Sequence, residues 1–120
     1  MEEEITVNGE KYIKASSIQQ QAEPMEEMPY VIVRTYSAGV FAGYLAQRDG
    51  KEVTIKKARR LWYWSGAASL SQLAMEGVKN PGACKFPCEV ETVTLLDAIE
   101  ILNITQAAKD NIAKVPIWKM

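Results

Sequence analysis

Histidine is absent from the 120-residue chain. That removes the usual general base near neutral pH, the Ser–His and Cys–His nucleophile pairs, and the commonest ligand of zinc, copper and haem. Cysteine is scarce. Cys84 and Cys88 are the only two; they cannot build a disulfide framework, and two thiols at C-x3-C spacing without histidine make a poor zinc site. They read as reduced structural cysteines. No apolar run reaches the roughly 18 residues that a bilayer crossing needs. Met1-Glu2-Glu3-Glu4 is acidic where a signal peptide is basic and then apolar. Net charge is nearly absent too: 14 Lys+Arg against 15 Asp+Glu leave −1, which argues against gripping long nucleic acid through net charge. The expectation is a soluble cytoplasmic domain with no membrane partner, no cofactor, no metal site and no catalytic residues.

What remains is 48% hydrophobic and 24% charged, enough for one compact domain and too short for two ordinary ones. The charge is unevenly spread. Residues 1–30 hold seven acids and two bases, residues 31–66 hold seven bases and two acids, and residues 67–120 hold five bases and six acids. The basic middle segment reads either as a local anion site or as a surface that the acidic first third covers.

Turn chemistry and alternation predict the elements. Asn8-Gly9 centres a short hairpin over residues 5–13, because both residues tolerate positive φ. Residues 15–29 are polar and carry two prolines; they read as a linker or mobile loop, with a short helix over 16–22 as an alternative. Residues 1–29 are thus an arm and linker, and residues 30–120 a single domain. Tyr30–Thr35 is a buried strand, Val40–Arg48 the next, with Gly43 at a bulge, and Asp49-Gly50 turns into a strand over 52–55. Lys56-Lys57-Ala58 reads as another turn, leading to a strand over 59–64. Leu70, Leu73, Ala74 and Val78 recur at helical spacing within a helix over 68–78 that Asn80-Pro81-Gly82 stops. Residues 89–95 and 98–104 alternate as paired strands about a Leu96-Asp97 turn. A helix over 95–103, capped by Thr94 and Asp97, competes with that reading. Thr105 caps a last helix over 106–113. The expected fold class is α+β: an antiparallel β-meander with two short helices. Three tryptophans and five tyrosines exceed what a small core hides, so the domain is expected to be a homo-oligomer.

The densest polar–aromatic run is Lys56-Lys57-Ala58-Arg59-Arg60-Leu61-Trp62-Tyr63-Trp64. On a strand, Arg60, Trp62 and Trp64 share one face and Arg59, Leu61 and Tyr63 the other. Guanidinium forks match phosphate, and indoles offer a flat face to a nucleobase. The tryptophans equally suit a core or a subunit interface. A second candidate is the turn Arg34-Thr35-Tyr36-Ser37-Ala38-Gly39, whose backbone N–H groups can hold an anion or simply turn the chain. A third is Trp64-Ser65-Gly66-Ala67-Ala68-Ser69 ahead of a helix, where Ser65 and Ser69 serve equally as N-caps. The candidate ligand contacts are Arg34, Ser37, Gly39, Arg59, Arg60, Trp62, Trp64 and, in the Phe86-Pro87 loop, Phe86. Two adjacent arginines on one strand point to opposite faces, so they are expected to contribute unequally.

The segments Val31–Val40 (VIVRTYSAGV), Ala58–Ala67 (ARRLWYWSGA) and Ala98–Ile101 (AIEI) resemble a family of small phage proteins close to the first-described type of Thoeris anti-defence protein. The resemblance spans about residues 30–120. It implies a non-enzymatic sponge in the host bacterial cytoplasm that binds a glycosyl cyclic ADP-ribose isomer, or in some members a cyclic trinucleotide, and withholds it from its effector. It also implies homodimers, with trimers of dimers in some members, and ligand held at or near subunit contacts. The composition agrees, since sequestration needs no histidine. Two other functions compete: a nucleic-acid or protein-interaction module built on the strand over 56–64, and an enzyme. Long nucleic acid would show a steep salt dependence.

Overall fold

The computed structural model describes residues 20–119, so the hairpin expected over 5–13 lies outside the described residues. Five strands form one antiparallel sheet: β1 Tyr30–Thr35, β2 Val40–Asp49, β3 Glu52–Arg60, β4 Glu89–Leu95 and β5 Ala98–Asn103, in the order β4-β3-β2-β1-β5. Two helices, α1 Leu70–Glu76 and α2 Gln106–Ala113, and a 3-10 turn at Pro81–Ala83 complete the described chain. This is the α+β class the turn pattern predicts. Among the described residues, no helix is long and apolar enough to cross a membrane.

The strand order is unusual at one point. β4 and β5 are consecutive, joined by Leu96-Asp97, yet they occupy opposite edges of the sheet. In a flat sheet those edges would stand about 19 Å apart, whereas the chain from Leu95 to Ala98 reaches about 11 Å at most. The sheet must therefore roll. At the joint, the Ala98 N–H donates to Lys51 O at 3.0 Å and the Tyr36 N–H to Asp97 O at 3.0 Å, tying both edges to the hairpin ends. The expected β4–β5 hairpin is thus corrected. Ala98 to Asn103 pairs instead with Thr35 to Val31, because a two-residue connection can close a rolled sheet as well as turn a strand back.

Rolling gives the sheet two cores. Its concave face encloses Val31, Val33, Phe41, Val53, Ile55, Ala58 and Leu95. The convex face packs Ile32, Ala42 and Leu61 against Leu73, Ala74, Phe86, Ile104, Ala108 and Ile112. β1 lies centrally and is covered on both faces, which is why it reads Tyr-Val-Ile-Val without alternation.

The second correction concerns Lys56-Lys57-Ala58. It is a bulge within one continuous strand, not a turn between two. Ala42 pairs with Arg59 and Tyr44 with Lys56, so Gly43 alone opposes Lys57 and Ala58. Lys57 takes φ +51°, a left-handed conformation open to few residues. A Cβ at Gly43 would lie 2.9 Å from the Lys56 carbonyl oxygen, so the bulge needs glycine there. An extra residue shifts the phase of everything after it. Ala58 joins the concave core and Arg59 turns toward the helices. The strand over 59–64 ends at Arg60; beyond it only Tyr63 bridges, to Lys85.

The helices are fixed by side chains the sequence announces. Ser69 caps α1 by accepting from Gln72 N, and Gln72 Oε1 accepts from Ala68 N. Thr105 caps α2 and donates to Met75 O at 2.7 Å. Asn111 clamps the end of α1, accepting from Val78 N at 2.8 Å and donating to Val78 O at 2.9 Å. Residues 20–29 depart from the linker reading. Ala22 is buried, its N–H donates to Ile104 O, and Gln20 O accepts from Gln106 N. Residues 20–22 are not helical: Gln21 bridges Thr105 in extended form.

Candidate functional site

The β1–β2 turn and the segment leaving β3 face each other across a cleft of about 440 Å³ lined by Ser37, Gly39, Arg60, Trp62 and Trp64, with Ala38, Val40 and Leu61 between. Five of the eight candidate residues thus come together from segments more than twenty positions apart. Its size is within the range of small-molecule sites.

Arg60 pairs with Phe41 in the sheet and carries its guanidinium over that ring, 4.4 Å from the centroid. One amino group donates to Ala38 O at 2.7 Å. This single bond and the ring beneath orient the planar group, while the side chain stays exposed. Gly39 takes φ +99° beside it; a side chain there would be strained, and the turn passes close to Arg60. Trp64 is half-buried against the convex core. Trp62 is 57% exposed and stacks on Trp118, with centroids 5.0 Å apart and planes within 5°. No third ring fits between them, so a planar ligand would stack on the outside of the pair. The Lys85 ammonium lies 5.6 Å from Trp62 and 5.7 Å from Trp118.

Ser37 lines the cleft with its donors already engaged. Its N–H and Oγ–H both donate to Asp97 Oδ2, at 3.2 and 2.7 Å. Thr35 Oγ1 closes the rest of the turn, donating to Gly39 O and accepting from Ala38 N. The turn's capacity for an anion is thus spent on the carboxylate that also joins the sheet edges.

Three candidates lie elsewhere. Arg59 is buried on the convex face, where its guanidinium donates to the carbonyls of Pro87, Ile112, Phe86, Val115 and Pro116 at 2.8–3.2 Å. Desolvation pulls its pKa below the ordinary value. It ties the C-terminal segment to the sheet. Phe86 is fully buried in that core and is not a ligand contact. Arg34 is exposed and donates to its cross-strand partner Glu100 at 2.8 Å. The Trp64–Ser69 loop is likewise structural. Ser65 N donates to Cys84 Sγ, Asn80 Nδ2 donates to Ser65 Oγ, and Lys79 N donates to Gly66 O. Cys84 is buried in that knot and Cys88 is exposed.

Sequence reasoning missed Trp118, Lys85 and Asp97. Trp118 follows Pro116 in a segment without periodicity, and its stacking on Trp62 depends on the carbonyl bonds of Arg59, which no local pattern announces. Among the described residues, no group of three or more His, Cys, Asp or Glu side chains could hold a metal ion.

Chemically, the cleft offers an oriented guanidinium and flat indoles. Its one hydroxyl, Ser37 Oγ, donates to Asp97 Oδ2. These features define a rolled five-stranded sheet with a cleft at the exit of its third strand. Residues 28–112 match a family described as a domain of unknown function, DUF6948, and the chain belongs to that family. No curated protein and no solved structure matches it.

Proposed function

We propose that this protein is a non-enzymatic sponge that holds a cyclic nucleotide signal in the Arg60–Trp62–Trp64 cleft. The observation that carries the reading is the orientation of Arg60, whose guanidinium is fixed by one carbonyl beside exposed indoles. Phosphate asks for a guanidinium fork and a purine for an indole face. The sequence resemblance to phage anti-defence proteins supplies the signal class, a glycosyl cyclic ADP-ribose isomer or a cyclic trinucleotide.

A sponge must outcompete a receptor, which calls for a nanomolar dissociation constant, about −12 kcal/mol. One open cleft encloses too little ligand for that. Trp62, Tyr63 and Trp118 are exposed together around Lys85 at its edge, and aromatic residues in such a cluster suit burial by a second copy. In this reading a homo-oligomer closes the site. Native mass spectrometry with a panel of cyclic nucleotides is the test. Retention of one ligand per cleft on an oligomer is the expected result; a bare monomer with every ligand would overturn it.

A further inference from the structure

A second cavity, of about 480 Å³, opens on the convex face, on the other side of the sheet from Arg60. Four strands, α2 and the C-terminal segment build it. Tyr30 and Tyr44 come from β1 and β2 and meet edge to face, with centroids 4.9 Å apart. Lys57 comes from the β3 bulge and Lys109 from α2; Ile112, Val115 and Ile117 form an apolar wall. The Lys109 ammonium stands 5.1 Å from the Tyr30 ring and 5.7 Å from the Tyr44 ring. Arg59 forms part of the lining, and Glu89 is the one acid there. The lining thus carries three positive groups against one negative.

The bulge is what places a cation here. Lys57 holds a left-handed conformation at φ +51° in mid-strand, and bulges re-aim side chains that a regular strand would point elsewhere. A lysine at such a position gives nothing to the apolar cores on either face. Burial, helped by Glu89, pushes the Tyr30 phenol well above the ordinary 10, so it stays protonated and neutral. Arg59 spends its N–H groups on carbonyls and contributes field more than contact.

We propose that this cavity binds a small aromatic anion, a carboxylate or phosphate ester, with its charge met by Lys57 and Lys109 and its ring against the tyrosines and the isoleucine wall. The site is independent of the Arg60 cleft. Ammonium groups over apolar walls favour an anion with an apolar body over inorganic anions, because the body supplies burial and the lysines charge-assisted bonds.

The test is titration of the full chain with benzoate, phenyl phosphate and the neutral benzyl alcohol, followed by NMR of the tyrosine rings and tryptophan indoles. At least one anion is expected to bind and to shift the Tyr30 and Tyr44 ring signals. Lys109→Met and Lys57→Asn, the latter tolerant of left-handed backbone, are each expected to weaken it about tenfold or more. The two anions separate a carboxylate site from a phosphate site. No binding up to about 10 mM, equal binding of benzyl alcohol, shifts confined to the indoles, or unchanged affinity in both folded lysine variants would overturn the proposal.

Discussion

Arg59→Ala is expected to destabilise the fold by about 3 kcal/mol or more. The guanidinium satisfies carbonyls from three places: the Phe86-Pro87 loop, the last turn of α2, and Val115-Pro116. Its removal strips the buried Val115 carbonyl of its donor and leaves the Ile112 and Phe86 carbonyls with backbone N–H donors only; a buried orphan costs about 1–3 kcal/mol, and the packing of the guanidinium over the Phe86 ring is lost with it. It also frees the segment that carries Trp118 against Trp62. Arg59→Lys is expected to recover little, since one ammonium cannot fork to spread carbonyls. For a domain of this size the loss corresponds to roughly 10 °C or more in Tm. Urea and thermal unfolding check it; a change below about 0.5 kcal/mol would mean that the carbonyls find water and that Arg59 is no staple.

Arg60→Ala is expected to do the opposite: leave stability nearly unchanged and weaken binding. Arg60 is exposed and makes one hydrogen bond, to Ala38 O, so truncation costs little in folding. Toward a phosphate it provides a charge-assisted fork worth about 2 kcal/mol or more, roughly 30-fold in affinity. Trp62→Ala should weaken binding by a further 1–3 kcal/mol if a base stacks on it. Calorimetry with the bound cyclic nucleotide, on variants whose unfolding matches the parent, reads both. Unchanged affinity in Arg60→Ala would take the ligand out of this cleft.

The neighbouring arginines show what the chain discloses locally and what it withholds. Alternation alone says that residues 59 and 60 face opposite ways, and they do. Which of them reaches solvent depends on the bulge at Lys57, and that depends on Gly43 across the sheet. Local signals carried where the cause was local: Ser69 and Thr105 as caps, Asp49-Gly50 as a turn, Tyr30–Thr35 as a buried strand. They failed where geometry closes over distance. Leu96-Asp97 has the length of a hairpin turn, and only the roll of the whole sheet makes it a bridge between edges. The convergence of Ser37, Gly39, Arg60, Trp62 and Trp64 follows from the Arg60–Phe41 pairing, which the antiparallel meander implies. Trp118 and Asp97 escaped because their partners lie 56 and 60 residues away and nothing in their own segments marks them.

We propose a protein that withholds a cyclic nucleotide without changing it. The direct measurement is to incubate the protein with glycosyl cyclic ADP-ribose or a cyclic trinucleotide, filter it, heat-denature the retained fraction and chromatograph what is released. A sponge retains one of these ligands in proportion to protein and returns it intact. A ligand that is never retained contradicts sequestration, and one that returns hydrolysed makes the protein an enzyme.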